Sequence, residues 1–213
     1  MQNFKELKIE FGEHINKIFP FENKKLKISR DGGEVFCKTD FGLFCFFFAA
    51  SDWGNEYEIS FGATIGFRDV FTLYQKFQKI KLGSSYSHLV YNMKELDTIS
   101  MRDYFVREST DIEAIKNEVA LFYKKVLSDF FSKFSSNNDL HKHLNSNPTI
   151  ECLWAENVSG RYIDGIIIAK IVGENYHELS EKYKDYQKKK WNYKNDEPRL
   201  VEIDELVEFL DRN

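Results

Sequence analysis

The sequence predicts an α+β fold: an N-terminal helix, an antiparallel β-meander of four to six strands, then a C-terminal all-helical part that includes an αα-hairpin. Three observations predict it. Phe41 to Ala50, FGLFCFFFAA, is apolar at both parities, as expected of a central strand that needs cover on both faces. Glu56 to Phe67 alternates between apolar residues and small or polar ones, the period of a strand with one buried face. From Thr110 onward the apolar spacing changes to three and four, the period of helices. The predicted division follows that change. Residues 1–108 form an α+β part with the antiparallel sheet, and residues 109–213 form a helical part packed on it.

Each element has its own reason. Phe4, Leu7, Phe11, Ile15 and Ile18 share one helix face over 4–19, and Pro20 stops the helix. Leu26 and Ile28 alternate with Lys27 and Ser29 in a strand over 26–30. Asp31-Gly32-Gly33 supplies the positive φ of a tight turn, and the chain returns as Glu34 to Thr39. A turn at Asp40 and Gly42 leads into 41–50, and the polar loop Ser51 to Asn55, with Trp53 embedded, leads on to 56–67. Val70, Leu73, Tyr74 and Phe77 favour a helix over 68–80. Gly83-Ser84-Ser85 breaks the chain before short strands at 86–91 and 104–107.

Thr110 and Glu113 have capping-box spacing, and an apolar stripe from Ile112 to Phe130 makes the longest expected helix. Further helices are predicted at 139–145, 150–157, 161–172, 174–191 and 200–210. Gly173 ends the first arm of the αα-hairpin.

Net charge is 30 − 34 = −4, which gives no overall attraction to nucleic acid or anionic lipid, so any basic surface is local. With 42% apolar residues and 20 Phe against 3 Pro, the chain is expected to fold around an aromatic core. Cys37, Cys45 and Cys152 are odd in number and lie in apolar segments without a CxxC pair, which fits a reduced, cytoplasmic protein. The opening MQNFKELKIEFGEHINKIF has helical spacing and charge, and is not expected to be a secretory signal. No apolar run is long enough to span a bilayer, so no membrane partner is expected.

No catalytic residue, metal or cofactor is predicted. The histidines are scattered, and His141 and His143, two apart on a helix, diverge by about 200°. The three cysteines are expected to be buried and inert. GxSxG, P-loop and GxGxxG patterns are missing. Gly62 and Gly66 share the parity of Ser60 and Thr64, so they read as small residues making room on one sheet face. Lys182 to Lys194, KYKDYQKKKWNYK, interleaves lysines with aromatics, and Lys188, Lys189, Lys190 and Trp191 are the candidates for contact with nucleic acid. The competing reading is structural. Glu174, Glu178 and Glu181 near the start of that helix and the lysines at its end complement its dipole.

The run FCKTDFGLFCFFFAASDWGNEY and the hairpin GRYIDGIIIAKIVGENYHEL resemble, in pattern, a group of uncharacterised bacterial proteins, domains of unknown function. Some relatives of that group are immunity proteins that neutralise the toxins of neighbouring bacteria. The resemblance implies a non-catalytic binding role and brings no site residues.

The expected partner is therefore another protein, with toxin inhibition as the sharpest version. Asp52 and Trp53 are the loop candidates for that contact. Phe44, Phe46 and Phe48 join them where helices leave that face of the strand open. The alternatives are an enzyme whose carboxylate or metal site is assembled by the fold, and a nucleic-acid-binding protein using 182–194.

Overall fold

A computed structural model describes residues 3–79, 89–92, 104–155 and 160–213. The expected helix end at Ile80, the break at 83–85, the strand start at 86–88 and the helix end at 156–157 lie outside the described residues. Helix α1 (Phe4–Ile18) starts at Asn3, whose Oδ1 accepts from the Lys5 N–H at 2.9 Å, and ends before Pro20 as expected. The strands are β1 (Lys25–Ser29), β2 (Gly32–Lys38), β3 (Gly42–Asp52), β4 (Tyr57–Phe67), β5 (Leu89–Asn92) and β6 (Tyr104–Val106), with α2 (Arg68–Gln78) following β4. Their order is β1-β2-β3-β4-β5, and β6 pairs with β4. The pairs β1–β2, β2–β3 and β4–β6 are antiparallel.

The later helices are α3 (Ser109–Phe122), continuing through a π-helical turn (Tyr123–Leu127) into α4 (Ser128–Ser132), then α5 (Asn137–Asn145), α6 (Gly160–Val172), α7 (Tyr176–Trp191) and α8 (Pro198–Asp211). Contacts group the chain into two compact units, Met1–Ile65 with Val90–Lys133, and Gly66–Leu89 with Phe134–Asn213. This grouping differs from a division at 108/109. The stretch after Glu108 belongs with the sheet because Phe131 packs on Phe19, Phe21 and Phe44. Helix α2 belongs with the late helices because Phe77 packs on Phe209 and Gln78 bonds Glu202 at 3.1 Å.

In the first unit, Val35, Phe46, Phe48, Ile59 and Phe61 form the inner face of the sheet and are buried. Helix α1 covers part of that face through Phe11, whose ring meets Phe61 at 5.7 Å and 71°. Gly12 permits the close approach, since a Cβ there would lie 2.4 Å from Ile28 Cδ1. Tyr123 and Phe131 cover Phe46 and Phe44. Such aromatic pairs contribute about 1 kcal/mol each beyond burial.

Local corrections have physical causes. Ser29 pairs with Gly32, so the β1–β2 turn is Arg30-Asp31 and both glycines lie in the strand. Gly32 is needed against β3 and not for the turn: it has φ 147°, and a Cβ would sit 2.1 Å from the Phe48 carbonyl oxygen. The helix cap lies earlier than Thr110. Asp111 Oδ2 accepts from the N–H groups of Arg107 (2.8 Å) and Glu108 (3.0 Å), while Glu113 pairs with Lys116 at 2.9 Å. The π turn interrupts what was expected as one regular helix, and both Phe130 and Phe131 beyond it are buried.

The second unit is organised on α6, which is buried nearly all round and packs against α2, α5, α7 and α8. A Cβ at Gly165 would lie 2.6 Å from both Asn145 Oδ1 and the Tyr183 hydroxyl, so α5 and α7 cross α6 closely there. The hairpin α6–α7 forms as expected. Gly173 has φ 81°, and the Glu174 N–H bonds back to the Ala169 carbonyl at 2.9 Å. The expected helix over 150–157 does not form through its described residues. Instead the Ile150 carbonyl accepts from Arg161, and the Leu153 carbonyl meets His143 Nε2 at 2.7 Å.

Candidate functional site

The β3–β4 connection builds the first candidate surface. Asp52 Oδ1 accepts from the Gly54 N–H at 2.8 Å and the Trp53 N–H bonds the Glu56 carbonyl at 3.0 Å, closing the turn with Gly54 at φ 83°. Asp52 thus spends its carboxylate on the loop. Trp53 is 65% exposed, yet its Nε1 donates to Glu58 Oε2 at 2.9 Å, which fixes the indole across the end of the sheet.

Glu58 stands directly opposite Phe105 of β6, and Phe105 is 41% exposed. The Arg107 guanidinium lies 5.8 Å from the Phe105 ring and pairs with Glu56 at 2.7 Å. Trp53, Phe105 and Arg107 therefore share one corner, held by Glu56 and Glu58. Tryptophan, phenylalanine and arginine are the types enriched in protein interfaces, and tryptophan and arginine dominate binding hot spots. The sequence pointed to Trp53 but missed Phe105 and Arg107. Their signal was the alternation in β6, where Val106 turns inward and Phe105 outward.

The outer face continues from this corner. Cross-strand partners share a face, which sets Lys25, Phe36 and Cys45 in one row and Lys27, Glu34 and Phe47 in the next. A Cβ at Gly62 would meet the Phe47 ring at 2.5 Å, so Phe47 lies over the small residues of β4. That is the room-making role expected of Gly62. Leu43 and Phe47 are half-buried and Ala49 is exposed, so β3 is fully covered on one face only. Phe44, Phe46 and Phe48 point to the covered face and are buried under α1, Tyr123 and Phe131. They offer no surface to a partner, because the helices that cover them come from 4–18 and 109–132.

The ionisable groups supply little reactive chemistry. Burial pushes the Cys45 thiol up to about 12, and burial also raises Cys37 and Cys152. A cleft of about 600 Å³ between α7 and α8 is lined by His177, Glu178, Ser180, Glu181, Asp204, Val207 and Glu208. Each of its carboxylates is in an ion pair: Glu178 with Lys182, Glu181 and Asp204 with Lys184, Glu208 with Arg212. Among the described residues no cluster of three His, Cys, Asp or Glu side chains is arranged to hold a metal.

The end of α7 carries the other candidates. Tyr183 is buried, Lys182 and Lys184 are paired along the helix, and Lys184 also reaches Asp204 of α8 at 2.7 Å. Lys190 is bonded to Glu151 and lies 5.6 Å from the Tyr186 ring and 5.3 Å from the Trp191 ring. The bond raises Lys190 and lowers Glu151.

Glu151 belongs to an ordered loop. Arg161, 4% exposed, donates through Nε to the Leu144 carbonyl (3.0 Å), through Nη2 to Asn147 (2.8 Å) and through Nη1 to Ile150. His143 Nε2 contacts the Leu153 carbonyl at 2.7 Å, and its ring stacks on Trp154 at 5.4 Å and 18°. Held from beneath in this way, the loop leaves Ile150 57% and Leu153 65% exposed. Neither was singled out from sequence, where the segment reads as helix.

Compared with known proteins, the chain matches no family model, no curated protein and no solved structure.

Proposed function

We propose that this chain is a non-catalytic protein that acts by binding another protein through the corner formed by Trp53, Phe105 and Arg107. One observation carries the reading: Trp53 is a large aromatic left in water, yet fixed in orientation by its hydrogen bond to Glu58. A pre-ordered indole loses little conformational entropy on docking, which is how a hot spot gains affinity. The half-buried Phe47 and Leu43 extend the apolar surface across the outer face.

The sharpest version is neutralisation of a bacterial toxin. It is motivated by the resemblance of the meander and hairpin runs. In that version a reading frame beside this one encodes a toxic protein, co-expression of the two relieves the toxicity, and Trp53→Ala removes the relief.

The general reading is tested by co-purification from the native host. Wild-type chain is expected to retain a stoichiometric protein partner that Trp53→Ala and Phe105→Ser both lose while keeping the wild-type circular dichroism spectrum. Absence of a partner, or one retained by both variants, counts against the assignment. The enzyme alternative would need free carboxylates, and those of the α7–α8 cleft are ion-paired. The nucleic-acid alternative keeps Trp191, which is exposed, but loses Tyr183, which is buried, and Lys190, which is held by Glu151.

A further inference from the structure

We propose that His141 is a pH-sensitive tie within the second unit: as a neutral ring with its proton on Nε2 it accepts from Asn145 and helps hold the end of α5 against α6 and α7, and as a cation it cannot. This goes beyond the protein-binding reading and does not depend on it. His141 and Asn145 stand four residues apart on α5 and so share one helix face. The Asn145 side chain is the node where three helices meet. Its Nδ2 donates to the Gly165 carbonyl of α6 at 2.8 Å and lies 3.0 Å from His141 Nδ1, while its Oδ1 accepts from the Tyr183 hydroxyl of α7 at 2.8 Å.

Gly165 fixes the direction of every bond in this set. A carbonyl oxygen only accepts, so the Asn145 atom facing it is the amide nitrogen, and the atom facing Tyr183 is the amide oxygen. The same nitrogen is then the donor toward His141, which leaves Nδ1 as acceptor and puts the ring proton on Nε2. Protonation adds a hydrogen to Nδ1 and sets donor against donor. Turning the Asn145 amide over does not relieve this, because its oxygen would then face the Gly165 carbonyl at the point where α5 and α6 cross closely. The ring has to leave Asn145 instead.

The surroundings decide where the proton comes from and how strongly it is resisted. His141 is half-buried beside a cleft of about 170 Å³ whose charged lining is Glu174 in the α6–α7 turn and Glu178 and Lys182 on α7. Glu178 and Lys182 pair with each other at 2.6 Å, and α6 brings only Ala169 to the cleft. The neighbours of His141 at three and four residues along α5, Asn137, Asn138, Leu144 and Asn145, are uncharged. Burial opposes the cation and outweighs the favourable charge of Glu174, so His141 lies below its ordinary 6.5. The tie is therefore whole above pH 6.5 and is released as pH falls through the folded value. His143, on another side of α5, works differently. Its Nε2 donates to the Leu153 carbonyl at 2.7 Å, a bond that protonation leaves intact.

The test is hydrogen exchange of the α5 amides in the full chain, followed as protection factors while pH is lowered, with the His141 ring titrated in parallel by nitrogen NMR of the imidazole. Protection of the amides that close the last turn, Ser146 to the Lys142 carbonyl among them, is expected to fall by about fivefold. The midpoint of that fall should coincide with the His141 titration and lie below 6.5. At neutral pH, Nδ1 should resonate as the bare nitrogen and Nε2 as the protonated one. His141→Gln, whose side-chain oxygen can accept from Asn145 and does not titrate, should keep the high protection at every pH, and His141→Ala should show the lowered protection throughout. His143→Gln should leave the response in place. A proton on Nδ1 at neutral pH, wild-type protection that does not change through the His141 titration, or a His141→Gln variant that keeps the wild-type response would each overturn the proposal.

Discussion

Arg161 concentrates more consequence in one side chain than any other residue described. Its buried guanidinium satisfies carbonyls at Leu144, Asn147 and Ile150, so it terminates α5 and shapes the loop that follows. Arg161→Met removes the donor to the part-buried carbonyls of Asn147 and Ile150 and leaves the Leu144 carbonyl with the Tyr183 hydroxyl, at a cost of about 2 kcal/mol. Urea unfolding measures it, and a loss below about 1 kcal/mol would contradict this account. Arg161→Lys should rescue little, because one ammonium cannot span the positions a planar fork reaches. Two glycines give a second contrast. Gly32→Ala drives a Cβ into the Phe48 carbonyl and should cost more than about 3 kcal/mol, while Gly54→Ala meets open space and pays only the left-handed backbone penalty of about 1 kcal/mol.

At the scale of elements, α1 and α3 meet through Glu10, His14, Glu113 and Lys116. Lys116 pairs with both Glu10 and Glu113, and His14 Nε2 is buried without a hydrogen-bond partner among the described residues. Burial first, then the charges of Lys116 and Lys17, hold His14 below its ordinary 6.5, against the Lys116 backbone hydrogen bond and Glu113, which raise it. The unfolded chain therefore binds the proton more readily, and this contribution to stability is present above pH 6.5 and lost as pH falls through the folded value. His141, lowered by burial, acts with the same sign, whereas Asp111 and Asp139 lie below 3.8 and stay charged in that window. Melting temperature should thus fall as pH drops below about 6.5, less steeply in His14→Gln and least in His14→Gln with His141→Gln. Superimposable profiles would rule the mechanism out.

Elements were legible where one residue's environment is set by its neighbours in sequence. The alternation of Glu56 to Phe67 marked the inner face of β4 correctly, and Gly173 marked the hairpin. The strand 41–50 misled because Leu43, Cys45 and Phe47 are as apolar as the buried phenylalanines, and only the small residues of β4 beneath Phe47 make half-exposure tolerable. Arg161 was illegible for another reason. Its partners are backbone carbonyls 11 to 17 residues away, which any sequence supplies.

At the scale of the whole molecule, each unit draws on two stretches of chain, so neither is a simple terminal half. A chain ended at Glu108 lacks Tyr123 and Phe131 and leaves Phe44 and Phe46 without their cover. Such a fragment is expected to bind a hydrophobic dye and to lose near-ultraviolet circular dichroism, and a native-like spectrum would mean that the sheet stands without those residues. The central claim concerns the corner of Trp53, Phe105 and Arg107, and site-specific photo-crosslinking in the native host tests it whatever the partner's identity. A benzophenone side chain in place of Trp53 is expected to yield one dominant protein adduct, lost when Phe105→Ser is added. The same group in place of Leu121, an exposed residue of α3, is expected to yield none. No adduct at position 53, or the same adducts from both positions, would contradict the account.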